Sequence, residues 1–315
     1  MATRITRKKV EKEEAVQEVL EQPKVEVKKA GIPEGFAERA KERSRQNLEL
    51  LSNCGIFSIS ELASLKKAMV EAYEKLTRTS APVINVMPET LLAFLKDGAY
   101  RTFGETGTTN GDPETRARLD YTSRTYGYES LKDCEKYGTI PVEEVNPNSP
   151  LHAIPLHERF QARYGHIQLR LKPEVGQRTT VNLMDSAHQW GLGGTWKNQG
   201  FGQLFPVPYR TDTPEDFVGC LMSPPTPSEL RNLKDPESGW HDYDKECVRA
   251  RNFKLLAIME GKDGHEYIEA HVHGEVTPED VDSVVYSVLP EGAKEAAEAK
   301  GIKVVPASKF SVSFV

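Results

Sequence analysis

The hydrophobic pattern of the sequence changes period near Gly98, and this change limits the folds open to the chain. Before Gly98, apolar side chains recur at helical spacing. After it, short runs with alternating apolar and polar residues predominate, and glycine and proline become frequent. Helices followed by strands are typical of an α+β fold. We therefore predict an α+β chain with a charged arm or linker at 1–30, a helical region at 31–98 and a strand-rich domain at 99–315.

Start and stop signals define the helices of the 31–98 region. Ser58 followed by Glu61 forms the pattern of a capping box, and Gly98 follows a periodic segment as a helix stop. The predicted helices run from Pro33 to Asn53, from Ser58 through Leu76, and from Pro88 to Lys96.

Period-two alternation and short apolar runs define the predicted strands of the 99–315 region. These are Ile167–Leu171, Thr179–Leu183, Phe253–Met259, Tyr267–Val272, and Lys303–Val305 with Phe310–Phe314. The stretch 191–239 is rich in glycine and proline and is predicted to be a long loop.

Composition excludes several classes of protein. The 315 residues include 47 acidic and 41 basic side chains, so the net charge of −6 argues against a protein that coats nucleic acid. No apolar run approaches the ~18 residues of a membrane span, and no secretory signal follows the basic N-terminus. The four cysteines show no CxxC spacing, which favours free thiols in a reducing compartment.

The segment Tyr267–His273 carries the strongest chemical signal. In a strand, Tyr267, Glu269, His271 and His273 would lie on one face and the apolar residues between them on the other. Three interpretations stay open from the residues alone: an exposed edge strand, a metal site on the E-x-H-x-H pattern, or a catalytic glutamate with hydrogen-bonding neighbours. Alternate side chains lie ~7 Å apart, which is wide for one ion, so no metal ligand is assigned.

Three further stretches contain residues suited to binding a ligand. An arginine beside aromatic residues and a glycine, as in Arg124–Tyr128, can bind phosphate or carboxylate. The glycine-rich stretch 103–111 lacks the lysine of a P-loop. Thr179, Thr180 and Ser186 can orient a ligand through their hydroxyls, although such residues are also ordinary strand formers and helix caps.

The order of these stretches resembles the C-terminal domain of phage head-morphogenesis (minor head) proteins, within the ADP-ribosyltransferase-like group. The matching segments span roughly residues 91–285. They are E-T-G-T-T-N-G at 105–111, R-T-Y-G-Y at 124–128, Y-G-H-I-Q-L-R-L-K-P-E-V at 164–175 with R-T-T at 178–180 and D-S at 185–186, and Y-I-E-A-H-V-H-G at 267–274.

The resemblance implies a split, two-sheet domain with a cleft for NAD. It implies Glu269, Arg124 and a hydroxyl residue, assigned to Ser186, as the catalytic set. The residues implied to contact NAD are Arg124, Tyr126, Gly127, Thr179, Thr180, Tyr267 and His271.

The sequence departs from the family pattern at several of these positions. His271 replaces a glutamine, Thr125 a proline and Met184 a glycine. In toxins of the group the residue two before the glutamate often sets the target. Tyr267 occupies that place here, so the resemblance leaves the acceptor open.

Three functions follow as hypotheses. The first is an NAD-dependent mono-ADP-ribosyltransferase, phage-encoded, toxin-like and acting by glycosyl transfer on a host protein. The second is a non-enzymatic virion assembly protein with a vestigial NAD cleft. The third is a metal-dependent enzyme using Glu269, His271 and His273. NAD, a protein acceptor and virion proteins are the expected partners, in the host cytoplasm or the virion, without a membrane or nucleic acid.

Overall fold

Local capping signals set the helices of the N-terminal region. The computed structural model describes residues 31–101, 126, 136–141, 165–183, 205–262 and 268–306. Helix α1 spans Phe36–Asn53, α2 spans Ile59–Thr79 and α3 spans Pro88–Asp97. Before α2, the Ser58 hydroxyl accepts from the backbone N–H of Glu61, and the Glu61 carboxylate accepts from that of Ser58. Gly98 ends α3 with a φ of 73°. The three predicted helices are confirmed.

The remaining elements follow in the second part of the chain. The helices are α4 (Pro227–Leu233), α5 (His241–Met259) and α6 (Ala293–Ala299), with short 3₁₀ turns at Pro173–Arg178, Pro214–Asp216, Val218–Leu221 and Pro278–Asp280. The strands are β1 (Val83–Val86), β2 (Lys136–Ile140), β3 (Ile167–Leu171), β4 (Thr179–Asn182), β5 (Val207–Pro208), β6 (Ile268–Val272), β7 (Val281–Tyr286) and β8 (Lys303–Pro306). The predicted α+β class is confirmed.

All eight described strands belong to one sheet, in the order β5-β4-β6-β2-β1-β3-β7-β8. Neighbours pair antiparallel except β7 and β8, which are parallel. The pairing of β1 with β2 consists of one register pair, Val83 with Thr139, whereas β1 and β3 share four. The sheet therefore consists of two four-stranded halves that meet at a single residue pair. The helical region predicted at 31–98 contains β1, a central strand of this sheet.

The sheet has one apolar and one largely polar face, because side chains alternate along each strand. Helix α2 and the 205–259 region pack with the apolar face of the β5-β4-β6-β2 half, in a core that includes Val181, Ile268 and Ala270. Helices α3 and α6 pack with the apolar face of the other half, which includes Ile84 and Leu169. Helices α2, α3 and α6 thus lie on the apolar side of the sheet, and the polar side chains suited to a ligand site lie on the other face.

Polar anchors join the elements around this core. The Tyr209 hydroxyl donates to the Leu76 and Ser80 carbonyls at 3.0 and 2.8 Å, which ties the end of α2 to β5. The buried guanidinium of Arg251 on α5 forms two hydrogen bonds of 2.6 and 2.9 Å with the Glu229 carboxylate on α4. Cys220 is a buried free thiol whose pKa is raised to about 12 by desolvation, consistent with the expected role as a small core residue.

The predicted strand at Phe253–Met259 is wrong, because this segment is the last part of helix α5. The buried residues near it are Arg251, Asn252, Leu255, Ile258 and Met259, at helical spacing, while Phe253 is 49 % exposed. The short apolar run that predicted a strand is therefore part of a helix that buries one side. The predicted loop at 191–239 contains β5, α4 and two 3₁₀ turns within its described part.

The strands predicted at 167–171 and 179–183 are confirmed, as are those at 267–272 and 303–305, with shifts of one residue at some ends. The segments Met1–Lys29 and Phe310–Phe314 lie outside the described residues.

The close approach of β1 and β2 requires a glycine at position 138. A Cβ atom on Gly138 would lie 2.5 Å from the Val83 carbonyl oxygen, too close for any side chain. We expect Gly138→Ala to lower the free energy of unfolding by about 1–3 kcal/mol, as overpacked sites do. Urea denaturation of both proteins measures the difference.

The matched control is Gly239→Ala, because a Cβ atom there meets nothing within 4 Å. Equal stability of the two alanine variants would contradict the proposed constraint at the junction of the sheet halves.

Candidate functional site

Five side chains form a continuous hydrogen-bonded chain on the polar face. The Tyr126 hydroxyl lies 2.7 Å from Thr180 Oγ1 and 2.5 Å from His271 Nδ1. His271 Nε2 lies 2.9 Å from Glu269 Oε2, and His273 Nε2 lies 3.0 Å from Thr180 Oγ1. With both imidazoles neutral, one direction satisfies every hydrogen: His273 donates to Thr180, Thr180 to Tyr126, Tyr126 to His271, and His271 to the carboxylate.

The sheet register explains why these residues meet. Thr180 on β4 and Tyr137 on β2 both lie opposite His271 on β6, so all three point to the same face. Asn182 and Thr139 lie opposite Glu269 in the same way. Tyr126 reaches the group from outside the sheet and packs its ring on Phe36 of α1, with ring centroids 5.2 Å apart.

This site is nearly closed to water. His271 and His273 are fully buried, and Glu269 is 6 % exposed. The pKa of His273 is lowered from its ordinary value of 6.5 to about 3, first by desolvation and then by the nearby His271, Arg178 and Lys136. The His273 imidazole therefore stays neutral at neutral pH and carries a single N–H donor.

Four of the predicted site residues come together here: Tyr126, Thr180, Glu269 and His271. Thr179 does not, because its hydroxyl donates to the Val175 carbonyl at 2.9 Å and it alternates with Thr180 along β4. The predicted residues Arg124, Gly127, Ser186 and Tyr267 lie outside the described residues.

The polar face extends across the sheet in two rows of paired residues. The Glu269 row contains Asn182, Glu269, Thr139, Val83, Arg170 and Ser283. The His271 row contains Thr180, His271 and Tyr137 on one half of the sheet, and Asn85, Gln168 and Val285 on the other. Sequence analysis missed Tyr137, Asn85 and Gln168, although the alternation V-I-N-V at 83–86 is a strand signal.

The two halves of the sheet separate along the His271 row. Val83 and Thr139 are the one register pair between β1 and β2. The next residues on this face, Asn85 and Tyr137, do not pair. On the opposite side of that pair, the Ser80 hydroxyl donates to the Pro141 carbonyl and holds the chains together. We call this interruption of the pairing, between Tyr137 and Asn85, the split; His271 lies opposite Tyr137 and Gln168 lies opposite Asn85.

The described residues offer no metal site. No group of three His, Cys, Asp or Glu side chains among them is placed to hold a metal ion. Both nitrogens of His271 and Nε2 of His273 already take part in hydrogen bonds with Tyr126, Glu269 and Thr180. This donor geometry does not favour the metal-dependent hypothesis for Glu269, His271 and His273.

Comparisons with known proteins connect the chain to a phage protein. It is 24 % identical over 230 residues to the protein named "Gene 2 protein" of Mycobacterium phage D29, covering 72 % of this chain and 71 % of that protein. No family model matches the chain. Among the helices of the described residues, none is long and apolar enough to cross a membrane.

The lowered pKa of His273 predicts a pH-dependent stability. Between pH 6.5 and about 3 the unfolded chain binds a proton at this residue and the folded chain does not, so stability falls as the pH falls. We expect His273→Gln to remove this contribution. Lowering the pH from 7 to 5 should therefore cost the wild type about 2 kcal/mol more than the variant.

Urea denaturation at the two pH values measures this difference. His166→Gln, at an exposed histidine, controls for the loss of an imidazole. Parallel pH profiles for wild type and His273→Gln would contradict a buried neutral imidazole.

Proposed function

We propose that this chain is an NAD-dependent mono-ADP-ribosyltransferase that is phage-encoded and modifies a protein of the infected cell. The observation that carries the proposal is the Glu269 carboxylate, held by His271 at 2.9 Å on the polar face beside the split in the sheet. The similarity to a phage protein supports the phage origin and a location in the host cytoplasm or the virion.

The chemistry of the polar face suits NAD as substrate. A dinucleotide offers hydroxyl and amide groups, an aromatic base and a negatively charged pyrophosphate. The face offers the Glu269 carboxylate with the Asn182 amide opposite it, and the Tyr137 ring opposite His271. The Arg170 cation lies three strands from Glu269 in the same row. In the proposal, Arg124, Gly127, Ser186 and Tyr267 complete the NAD contacts, and Thr179 supports the strand that carries Thr180.

Glycosyl transfer from NAD places one demand on the protein, which is to stabilise a ribosyl cation. The bond between C1′ and the nicotinamide nitrogen breaks with its electron pair going to nicotinamide, and an acceptor oxygen or nitrogen then bonds C1′ and loses its proton. Glu269 supplies the negative charge opposite the ribose. Its few water contacts strengthen that electrostatic effect, because the site has a low effective dielectric.

His271 positions the carboxylate in this scheme. Its Nε2 lies 2.9 Å from Glu269 Oε2, and this contact fixes the orientation of the carboxylate that faces the ribose in the proposal. The family pattern has a glutamine at this place, and an amide is also a donor. The imidazole thus serves the same purpose, with the Tyr126 hydroxyl 2.5 Å from Nδ1 holding the ring in place.

The burial of Glu269 favours a second candidate function. A carboxylate that is 6 % exposed and bonded to a buried histidine also suits a structural network that holds β2, β4 and β6 together. In this alternative the chain is a non-enzymatic virion assembly protein, and the cleft is vestigial.

The test of the enzymatic proposal is Glu269→Gln. The substitution keeps the size and hydrogen-bonding capacity of the side chain but removes its charge. We expect nicotinamide release from NAD, and transfer of labelled ADP-ribose to proteins of a bacterial lysate, to fall at least ~100-fold. Circular dichroism and thermal melting establish that the variant is folded.

Glu279→Gln is the matched control, because Glu279 is an exposed glutamate on the 3₁₀ turn before β7. Equal rates in wild type and Glu269→Gln would overturn the enzymatic proposal. Co-purification of the wild type with capsids, together with no nicotinamide release, would support the assembly function.

A further inference from the structure

The half of the sheet opposite Glu269 carries polar groups that the proposed chemistry does not use. Asn85 on β1 and Gln168 on β3 are register partners, so their side chains lie side by side on the polar face. Both border the split, across from Tyr137 and His271. Neither belongs to the hydrogen-bonded chain that ends at Glu269.

The carboxamide oxygens of this pair lack partners in the part of the chain that the structure describes. Gln168 is 4 % exposed, and neither Gln168 Oε1 nor Asn85 Oδ1 accepts a hydrogen bond there. A buried acceptor without a donor costs folding free energy, because it has lost its water. Two such acceptors side by side, where the strand pairing is interrupted, point to a ligand that brings N–H donors.

The surrounding charge narrows the class of ligand. Within β1, β3 and β7, the polar-face residues are Val83, Asn85, Gln168, Arg170, Ser283 and Val285. In register with Ser283, β8 adds Lys303, whose Nζ donates to the Asp282 carboxylate. The polar-face residues of these four strands therefore include two cations and no anion, which disfavours a cationic ligand such as a guanidinium. It favours a neutral group with N–H donors that is joined to an anion.

An adenine nucleotide has this combination. Its exocyclic amino group donates N–H, the adjacent ring nitrogen accepts, and a carboxamide side chain matches both. Arg170 lies two residues from Gln168 on the same face of β3, about 7 Å along the strand, where a guanidinium can bind phosphate.

We propose that Asn85 and Gln168 form a binding site for the adenine edge of an adenine nucleotide, with Arg170 on the side of its phosphate. The inference rests on the proposed function in one respect, since the nucleotide is taken as the adenosine half of NAD. Across the split, Asn85 lies about two strand spacings (~10 Å) and Gln168 about three (~14 Å) from His271. A dinucleotide that bridges the split would reach Glu269 with its other half.

The experiment is titration calorimetry of the full chain with adenosine monophosphate. Inosine monophosphate, which has a carbonyl in place of the amino group, and ribose 5-phosphate, which has no base, are the comparison ligands. We expect adenosine monophosphate to bind at least ~10-fold more tightly than either, the effect of one or two hydrogen bonds.

Gln168→Leu keeps the approximate size of the side chain and removes the carboxamide. We expect it to abolish the preference for adenosine over inosine monophosphate. Because the substitution also removes an unpartnered buried acceptor, its thermal midpoint should equal or exceed that of the wild type. Gln46→Leu, at an exposed glutamine on α1, is the matched control.

Asn85→Leu provides a second variant should Gln168→Leu fail to fold. Absence of binding by the wild type, equal binding of the three ligands, or an unchanged preference in the folded variants would overturn the proposal. Binding of adenosine monophosphate without cleavage of NAD would uphold this site and reject the transferase. If the wild type cleaves NAD and Gln168→Leu does so with an unchanged KM for NAD, the transferase proposal stands and this adenine site is rejected.

Discussion

The single residue pair between β1 and β2 determines the form of the whole polar face. At Val83 and Thr139 the strands approach so closely that only glycine fits at position 138. Toward Asn85 and Tyr137 no further register pair forms between these strands. One sheet thus has a side where its halves pair and a side where the pairing between them is interrupted. Both candidate sites border this interruption, with His271 and Tyr137 on one side of it and Asn85 and Gln168 on the other.

The helices were the most predictable part of the fold. Ser58, Glu61 and Gly98 act through local backbone groups, and local rules identify them without knowledge of the rest of the chain. Strand β3 was equally clear because its alternation covers five residues. By contrast, β1 has four residues, and its place at the centre of the sheet depends on partners far along the chain. The helix at 253–259 was missed because an apolar run alone does not reveal which residues are buried.

The candidate site was predictable in its residues but not in its connections. Alternation along β6 placed Glu269 and His271 on one face, and the resemblance added Tyr126 and Thr180. The hydrogen bonds through Tyr126 are tertiary contacts between residues more than fifty positions apart, and no spacing rule encodes them. The strand register was also needed to decide which of the two adjacent threonines belongs to the site. Thr179 and Thr180 face opposite sides of the sheet, and only Thr180 lies opposite His271.

The position of β1 has a consequence for how the chain folds and how it can be divided. This strand belongs to the first third of the sequence, yet it pairs with both β2 and β3 at the middle of the sheet. A shortened protein that begins after Gly98 would lose the element that links the two groups of strands. The helices at 36–97 therefore do not form a detachable module. During synthesis, β1 leaves the ribosome before β2 and β3, so the hydrogen-bonding groups on both of its edges stay unpaired until those strands have been made.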